Sequence, residues 1–292
     1  MAKAKLVGIN LAMQTPFNDD GSINLKIYEE LIDKYIDAGV HGLVLGAGTG
    51  QHPYLTESEC NHLYEVGIKR VAGRCNVICQ TSALNVDEVI RRSRHAESIG
   101  ADALMVLPPY FEGPTDDDSL FAFYEDVDAA VKVEIVGYNI PQSTGISVSI
   151  PLLMRLAELP NFKYLKDSGG DFATHQGYLQ TSVNVLNGAD TIAAYAFMAG
   201  AVGAIQGTAN YMPHEAVALF NLIQEKKFEQ ALELWQKMLP SILLFWQGNY
   251  VQSVLRAAQL RGFGTGNVRK PLRALTAEQD AAVQRAIAPL LK

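Results

Sequence analysis

The 292-residue chain has no long hydrophobic run and no export signal. No stretch approaches the roughly 18 apolar residues that a membrane-spanning helix needs. The opening MAKAKLVGINLAMQTPF lacks an uninterrupted apolar segment and a small-residue cleavage site, so it is not typical of a signal peptide. We therefore expect a cytoplasmic protein with no membrane partner.

The residues that usually form metal sites or disulfides are also sparse. Three cysteines, Cys60, Cys75 and Cys79, are an odd number without CxxC spacing, and the six histidines form no HxH or HxxxH pair. These patterns favour reduced, buried thiols and give no support for a metal site. The net charge of −7, without a long Lys/Arg cluster, also disfavours nucleic acid as a partner.

Strand and helix patterns alternate along the first three quarters of the chain. Eight short β-branched or apolar runs are each bounded by Gly, Pro, Asn or Asp. They are Val7–Leu11, Gly42–Leu45, Val77–Gln80, Ala103–Leu107, Ile135–Tyr138, Phe162–Lys166, Val183–Leu186 and Ala204–Gly207. The intervening helices are predicted at Asn24–Ala38, Thr56–Ala72, Val86–Ile99, Asp117–Val131, Ile150–Leu159, Asp171–Gln180, Thr191–Ala199 and Pro213–Glu225.

This alternation predicts an α/β fold, a closed (β/α)8 TIM barrel. A dinucleotide-binding fold is less favoured, because no GxGxxG follows the first strand. After residue 225 only helices are predicted, at Phe228–Met238, Pro240–Gly262 and Thr276–Leu291. We therefore expect a barrel with the active site at residues 1–225 and a C-terminal helical domain at residues 226–292.

Lys166 is the sharpest chemical candidate. Alternation along its strand places Tyr164 and Lys166 on one face, and the C-terminal ends of barrel strands face the active site. If that face points inward, burial disfavours the charged ammonium and leaves an amine able to form an imine with a carbonyl. The alternative is a surface lysine paired with Asp167.

Other strand ends carry weaker candidates. Tyr138 ends the neighbouring strand and could transfer protons, although a packed tyrosine would look the same. The glycine-rich turn Gly46–Gly50 could offer free backbone N–H groups to a carboxylate, although such turns are common. Tyr110 follows tandem prolines and is either a lid or interface residue or an anchor of a rigid loop.

In this order and spacing, the motifs resemble those of the dihydrodipicolinate synthase / N-acetylneuraminate lyase family over nearly the whole chain. They are TPF with DDGSIN at 15–24, GTGQ at 48–51, PPYF at 108–111, YNIP at 138–141 with Gly145, YLKDSGGD at 164–171, GTAN at 207–210 and VRKPL at 268–272. The resemblance implies a tetrameric barrel with a C-terminal helical domain and no metal or organic cofactor. It also implies that a pyruvate-like substrate is bound as a Schiff base.

Residue by residue, the resemblance places the imine lysine at Lys166, the strand-five tyrosine at Tyr138 and the carboxylate-binding turn at Thr49-Gly50. Candidates for binding the substrate are Gly48, Thr49, Gly50, Gln51, His52, Tyr110, Ser143, Gly188 and Ile205. We expect the N–H groups of Gly48 to Gly50 to hold the carboxylate, assisted by the Thr49 hydroxyl. The loop Gly188-Ala189-Asp190 is a further candidate for contact with the distal end of the substrate.

Several positions depart from the family pattern. Gly48 stands where a relay Thr or Ser is common, and Phe111 stands where many members lend a tyrosine across the dimer interface. Dihydrodipicolinate synthases carry an arginine in this region to hold a second carboxylate, whereas the segment Gln142-Ser143-Thr144 contains none. Individual motifs resemble those of keto-deoxy sugar acid dehydratases, neuraminate lyases and hydroxy-oxoglutarate aldolases in turn.

We therefore expect a Schiff-base lyase acting on a small-molecule 2-keto acid, as a pyruvate-releasing aldolase or a dehydratase of a 2-keto-3-deoxy sugar acid. Two alternatives stay open. One is a 4-hydroxy-tetrahydrodipicolinate synthase that has replaced its arginine. The other is a catalytically silent homologue that binds keto acids.

Overall fold

The computed structural model describes residues 5–291, and its eight parallel strands close into a barrel. Each strand pairs with the next along the chain, and the eighth pairs with the first. The strands are Gly8–Ala12 (β1), Gly42–Leu45 (β2), Asn76–Gln80 (β3), Ala103–Val106 (β4), Glu134–Asn139 (β5), Phe162–Asp167 (β6), Asn184–Asn187 (β7) and Gly203–Gln206 (β8). The predicted barrel is confirmed, and every predicted strand end lies within one residue of the observed one.

Helices follow the strands and continue beyond the barrel. They are Leu25–Asp37 (α1), Glu57–Val71 (α2), Val86–Ser98 (α3), Asp117–Ala130 (α4), Pro141–Thr144 (α5), Ile150–Leu156 (α6), Phe172–Tyr178 (α7), Ala193–Ala199 (α8), Pro213–Gln224 (α9), Phe228–Trp246 (α10), Tyr250–Leu260 (α11) and Ala277–Ile287 (α12). A capping box begins α2, since the Thr56 hydroxyl accepts a hydrogen bond from the Glu59 N–H and the Glu59 carboxylate accepts one from the Thr56 N–H. The single turn α5 was not predicted.

Two apolar layers stabilise the barrel, because both faces of a parallel sheet are covered. Val136 and Tyr164 belong to the layer inside the barrel, whereas Ile135 and Leu165 pack outward against the helices. The predicted alternation in β6 is therefore confirmed. It directs Lys166 inward at the C-terminal end of the barrel.

The break predicted in the C-terminal helices is wrong. α10 continues through Pro240 to Trp246, and the chain turns at Gly248 and Asn249, which has a left-handed φ of +51°. Proline removes one backbone hydrogen bond from a helix interior. The buried side chains of Met238 and Ile242, which precede and follow Pro240, pack on the core and favour an uninterrupted helix.

The helices after residue 225 pack on the barrel and on one another. α10 lies against α9, α11 and α12. The division at residue 225 stays a prediction, and residues 1–4 and 292 of the two expected domains lie outside the described residues. Between residues 5 and 291, no helix combines the length and apolar character needed to cross a bilayer.

Candidate active site

A cavity of about 600 Å³ opens at the C-terminal ends of the strands. This is the end at which barrel enzymes carry their active sites. Seven of the predicted site residues line it: Gly48, Thr49, Tyr138, Ser143, Lys166, Gly188 and Ile205. Residues that are far apart in the sequence therefore meet in one cavity.

Lys166 occupies the inner face of β6 and is only 5% exposed. Its Nζ lies 3.8 Å from the ring centroid of Tyr138, and no carboxylate of residues 5–291 lies within 4 Å of it. Because the side chain lines the cavity without an ion-pair partner, its nitrogen can meet a ligand.

Tyr138 meets Lys166 because β5 and β6 are neighbours. The two residues are direct partners in the strand register, and both point inward. The Tyr138 ring lies against the lysine nitrogen and also lines the cavity. A phenol in this position can exchange protons with atoms attached to the lysine nitrogen.

Asp167 faces away from Lys166, on the outer side of β6. Its carboxylate lies 2.8 Å from His175 Nδ1 and accepts hydrogen bonds from the Asn139 side chain and the Gly169 N–H. Strand alternation thus pairs Asp167 with the helix layer. The alternative of a surface lysine paired with Asp167 is excluded.

The glycine-rich turn after β2 borders the opposite side of the cavity. Gly46 has a φ of +64°, which favours glycine, and the space around Gly48 is open. Within residues 5–291, the N–H groups of Gly48, Thr49 and Gly50 donate to no acceptor. Free N–H groups in a turn can bind a carboxylate.

Small residues make room around the lysine. A Cβ on Gly188 would lie 2.8 Å from Lys166 Cε and 2.2 Å from Ser168 Oγ. A larger residue at position 188 would therefore displace the lysine. Ser168 also lines the cavity, and its buried hydroxyl has no partner in the described part of the chain.

Four predicted substrate contacts do not line this cavity: Gly50, Gln51, His52 and Tyr110. The Gln51 side chain accepts from the Arg269 N–H, and His52 Nε2 lies 3.0 Å from the Ser82 carbonyl. A short helical turn that begins at His52 directs these side chains away from the barrel axis. We therefore correct the expectation that Gln51 and His52 contact a ligand directly, because neither side chain lines this cavity.

Sequence reasoning missed the contribution of the C-terminal helices. Trp246, Tyr250 and Val251 line the cavity although they follow the last strand by about 40 residues or more. The remaining unpredicted lining residues are Ala12, Ile140, Gln142, Ser168, Gly169 and Gly207. No motif or spacing in the sequence marks α10 and α11 as part of a site.

The Asp190 side chain lies fully buried beside the cavity. Its carboxylate accepts hydrogen bonds from the hydroxyls of Tyr250 and Thr208. Burial raises the pKa of Asp190, whereas these hydrogen bonds and the charge of Lys166 oppose the shift. Among the residues that line the cavity in residues 5–291, only Lys166 carries an ionisable basic group.

The model of the dihydrodipicolinate synthetase family matches residues 5–289. 4-Hydroxy-tetrahydrodipicolinate synthase 1 of Halalkalibacterium halodurans is 29% identical over 95% of each chain. The synthase of Exiguobacterium sibiricum is 31% identical over 91% of each chain. The chloride-inhibited dihydrodipicolinate synthase of Acinetobacter baumannii, solved with pyruvate, aligns with a TM-score of 0.93 and 27% identity, covering 98% of this chain and 99% of that one.

The buried position of His52 predicts a pH dependence of stability. Burial lowers the pKa of His52 from 6.5 to about 4. Between these pH values the unfolded chain binds a proton that the folded protein does not. We therefore expect the free energy of unfolding to fall by about 3 kcal/mol through this group as the pH drops from 6.5 to 4.

Urea unfolding at a series of pH values measures this effect. His52→Gln should flatten the decline, because a neutral side chain replaces the imidazole. His62→Gln on the exposed face of α2 is the matched control and should leave the decline in place. Parallel pH curves for the wild type and His52→Gln would contradict the assignment.

Proposed function

The chain belongs to the dihydrodipicolinate synthetase family and is a lyase of the class I aldolase type. On this basis we propose that Lys166 forms a Schiff base with a 2-keto acid. The proposal rests on one observation: the Lys166 side chain points into the barrel, and its nitrogen lies against the Tyr138 ring without an ion-pair partner. Such an amine can attack a carbonyl carbon.

The proposed chemistry starts with attack of Lys166 Nζ on C2 of the keto acid. The carbinolamine loses water and leaves an iminium, which accepts electrons from the neighbouring carbon atoms. The free N–H groups of Gly48 and Thr49, which line the cavity, hold the carboxylate. Ser143, Gly188 and Ile205 contact the rest of the substrate.

Two outcomes are open to the iminium. In a retro-aldol reaction Tyr138 takes the proton of the C4 hydroxyl, the C3–C4 bond breaks, and the C4 fragment leaves as an aldehyde. The electrons of the broken bond form an enamine on Lys166, which is protonated and hydrolysed to pyruvate. In a dehydration the C3 proton leaves and the C4 hydroxyl departs as water. His52 takes no part in either route because it does not line the cavity.

We propose a 2-keto-3-deoxy sugar acid or a related compound as substrate. The neutral side chains of Gln142 and Ser143 line the cavity, and its described lining has no cation beyond Lys166. Neutral hydrogen-bonding groups suit a polyol, whereas a second carboxylate is best held by an arginine.

4-Hydroxy-tetrahydrodipicolinate synthase is the second candidate, because the relatives named above carry that activity in their names. For that condensation, this chain would have to bind the carboxylate of the second substrate without an arginine after Tyr138. This requirement makes the synthase the less favoured proposal.

We propose that the protein is a homotetramer. Phe111 is 69% exposed on the loop after β4, beside Tyr110, where the family resemblance implies a dimer contact. Tyr110 does not line the cavity of its own chain, which leaves it available for such a contact.

The Schiff base predicts irreversible labelling by pyruvate and borohydride at Lys166. Peptide mapping by mass spectrometry locates the adduct. Labelling should disappear in Lys166→Arg and persist in Lys163→Arg, because Lys163 lies on the outer side of the same strand. Undiminished labelling of Lys166→Arg would refute the assignment.

Removal of the Tyr138 hydroxyl should slow turnover. We expect Tyr138→Phe to lower kcat by about two to four orders of magnitude, the usual effect of losing an acid/base group. Tyr54→Phe, on an exposed turn, is the control and should keep wild-type activity. A kcat for Tyr138→Phe within about threefold of the wild type would assign the proton transfer to another group.

A product assay separates the candidate reactions. Incubation with a panel of 2-keto-3-deoxy acids should give pyruvate or a dehydrated keto acid, and pyruvate with aspartate semialdehyde should condense poorly. We expect the missing cation to lower the efficiency of that condensation by about one to two orders of magnitude. Efficient condensation with no reaction of the panel would favour the synthase instead.

A further inference from the structure

Tyr250 lines the cavity, but the chemistry proposed above does not use it. It is the first residue of α11, directly after the turn at Gly248 and Asn249, so its ring enters the site from outside the barrel. Its hydroxyl donates a hydrogen bond to Asp190 Oδ2. A second tyrosine hydroxyl is thus fixed beside the lysine.

Asp190 determines how the Tyr250 hydroxyl can interact. The carboxylate is 1% exposed and has no Lys, Arg or His nitrogen of residues 5–291 within 4 Å. It is held instead by the Tyr250 hydroxyl and by Thr208 Oγ1 at 2.9 Å. Because Tyr250 gives its only proton to Asp190, its oxygen can only accept a further hydrogen bond.

Gly207 leaves open the space next to this oxygen. A Cβ at position 207 would lie 2.4 Å from the Tyr250 hydroxyl oxygen and 2.6 Å from Thr49 Oγ1. The two oxygens are therefore at most 5.0 Å apart, yet no hydrogen bond joins them. One further oxygen atom can lie between them at hydrogen-bonding distance from both.

The order of the strands places this position relative to the lysine. Lys166 is on β6, Tyr138 is on the preceding strand, and Asp190 and Gly207 follow the next two strands. Tyr138 and the Tyr250–Asp190 pair therefore flank Lys166 on opposite sides. Lys166, Tyr138 and Tyr250 all line the same cavity.

We propose that Tyr250 determines specificity by accepting a hydrogen bond from a hydroxyl group of the keto acid. Asp190 is the positioning residue that keeps Tyr250 an acceptor. A carboxylate oxygen does not fit, because it brings no proton and would face the charge of Asp190. The substrate carboxylate then lies on the N–H groups of Gly48 and Thr49.

This inference rests on the proposed Schiff base, and its test uses the same adduct. The probes are 2-ketobutyrate, 4-hydroxy-2-ketobutyrate and 2-keto-3-deoxygluconate, of which the first two differ by one hydroxyl. The initial rate of borohydride trapping at Lys166 is measured against the concentration of each probe. Half-saturation is compared in the wild type, Tyr250→Phe and Tyr195→Phe, a control on exposed α8.

In the wild type we expect at least one hydroxylated probe to saturate at a lower concentration than 2-ketobutyrate. Tyr250→Phe should raise half-saturation for that probe by about 10- to 100-fold, the effect of one hydrogen bond to a charge-assisted acceptor. For 2-ketobutyrate, the half-saturation concentration of Tyr250→Phe should stay within about twofold of the wild-type value. Tyr195→Phe should change neither.

The outcomes separate the two proposals. If none of the probes labels wild-type Lys166, the Schiff base itself is refuted. If all label it but Tyr250→Phe changes half-saturation equally for the probes with and without a hydroxyl, Tyr250 has only a structural role. If Tyr250→Phe still binds the hydroxylated probe more tightly than 2-ketobutyrate by the wild-type ratio, a water and not the substrate lies between Thr49 and Tyr250. Either of these last two results overturns the inference.

Discussion

The contact between Lys166 and the ring of Tyr138 is the interaction around which the site is arranged. A protonated lysine over an aromatic face is attracted by roughly 0.5–2 kcal/mol. The contact positions the lysine nitrogen without an ion pair to a carboxylate. The carboxylate next in the chain, Asp167, is on the other face of the strand and binds His175.

Closure of the barrel brings the parts of the site together. Neighbouring parallel strands align Tyr138 with Lys166, and the turn after β2 lies across the barrel from β6. Tyr138 and Lys166 meet through the pairing of β5 with β6, whereas the turn after β2 faces them only in the closed barrel. The chemistry therefore depends on the closed sheet and not on any one motif.

Glycines create the space that other side chains then fill. Gly188 allows Lys166 and Ser168 to approach the loop after β7, and Gly207 allows the hydroxyls of Thr49 and Tyr250 to approach each other. Where the family pattern has hydroxyls, this chain has Gly48 and Phe111. The Tyr250 hydroxyl enters the cavity from α11.

Local periodicity in the sequence determined the barrel strands to within one residue and placed Tyr164 and Lys166 on one face, because side chains alternate along a strand whatever its neighbours are. That this face points inward was decided only by closure of the barrel. The free N–H groups of the glycine-rich turn were also foreseen, since too few side chains are present to occupy them. Contacts between distant segments were not determined by the sequence alone. His52 turns away from the cavity to reach Ser82, α10 continues through Pro240 because both of its halves are packed, and Tyr250 reaches Asp190 across 60 residues of chain. Each of these depends on how helices pack over the closed barrel, which a local pattern does not record.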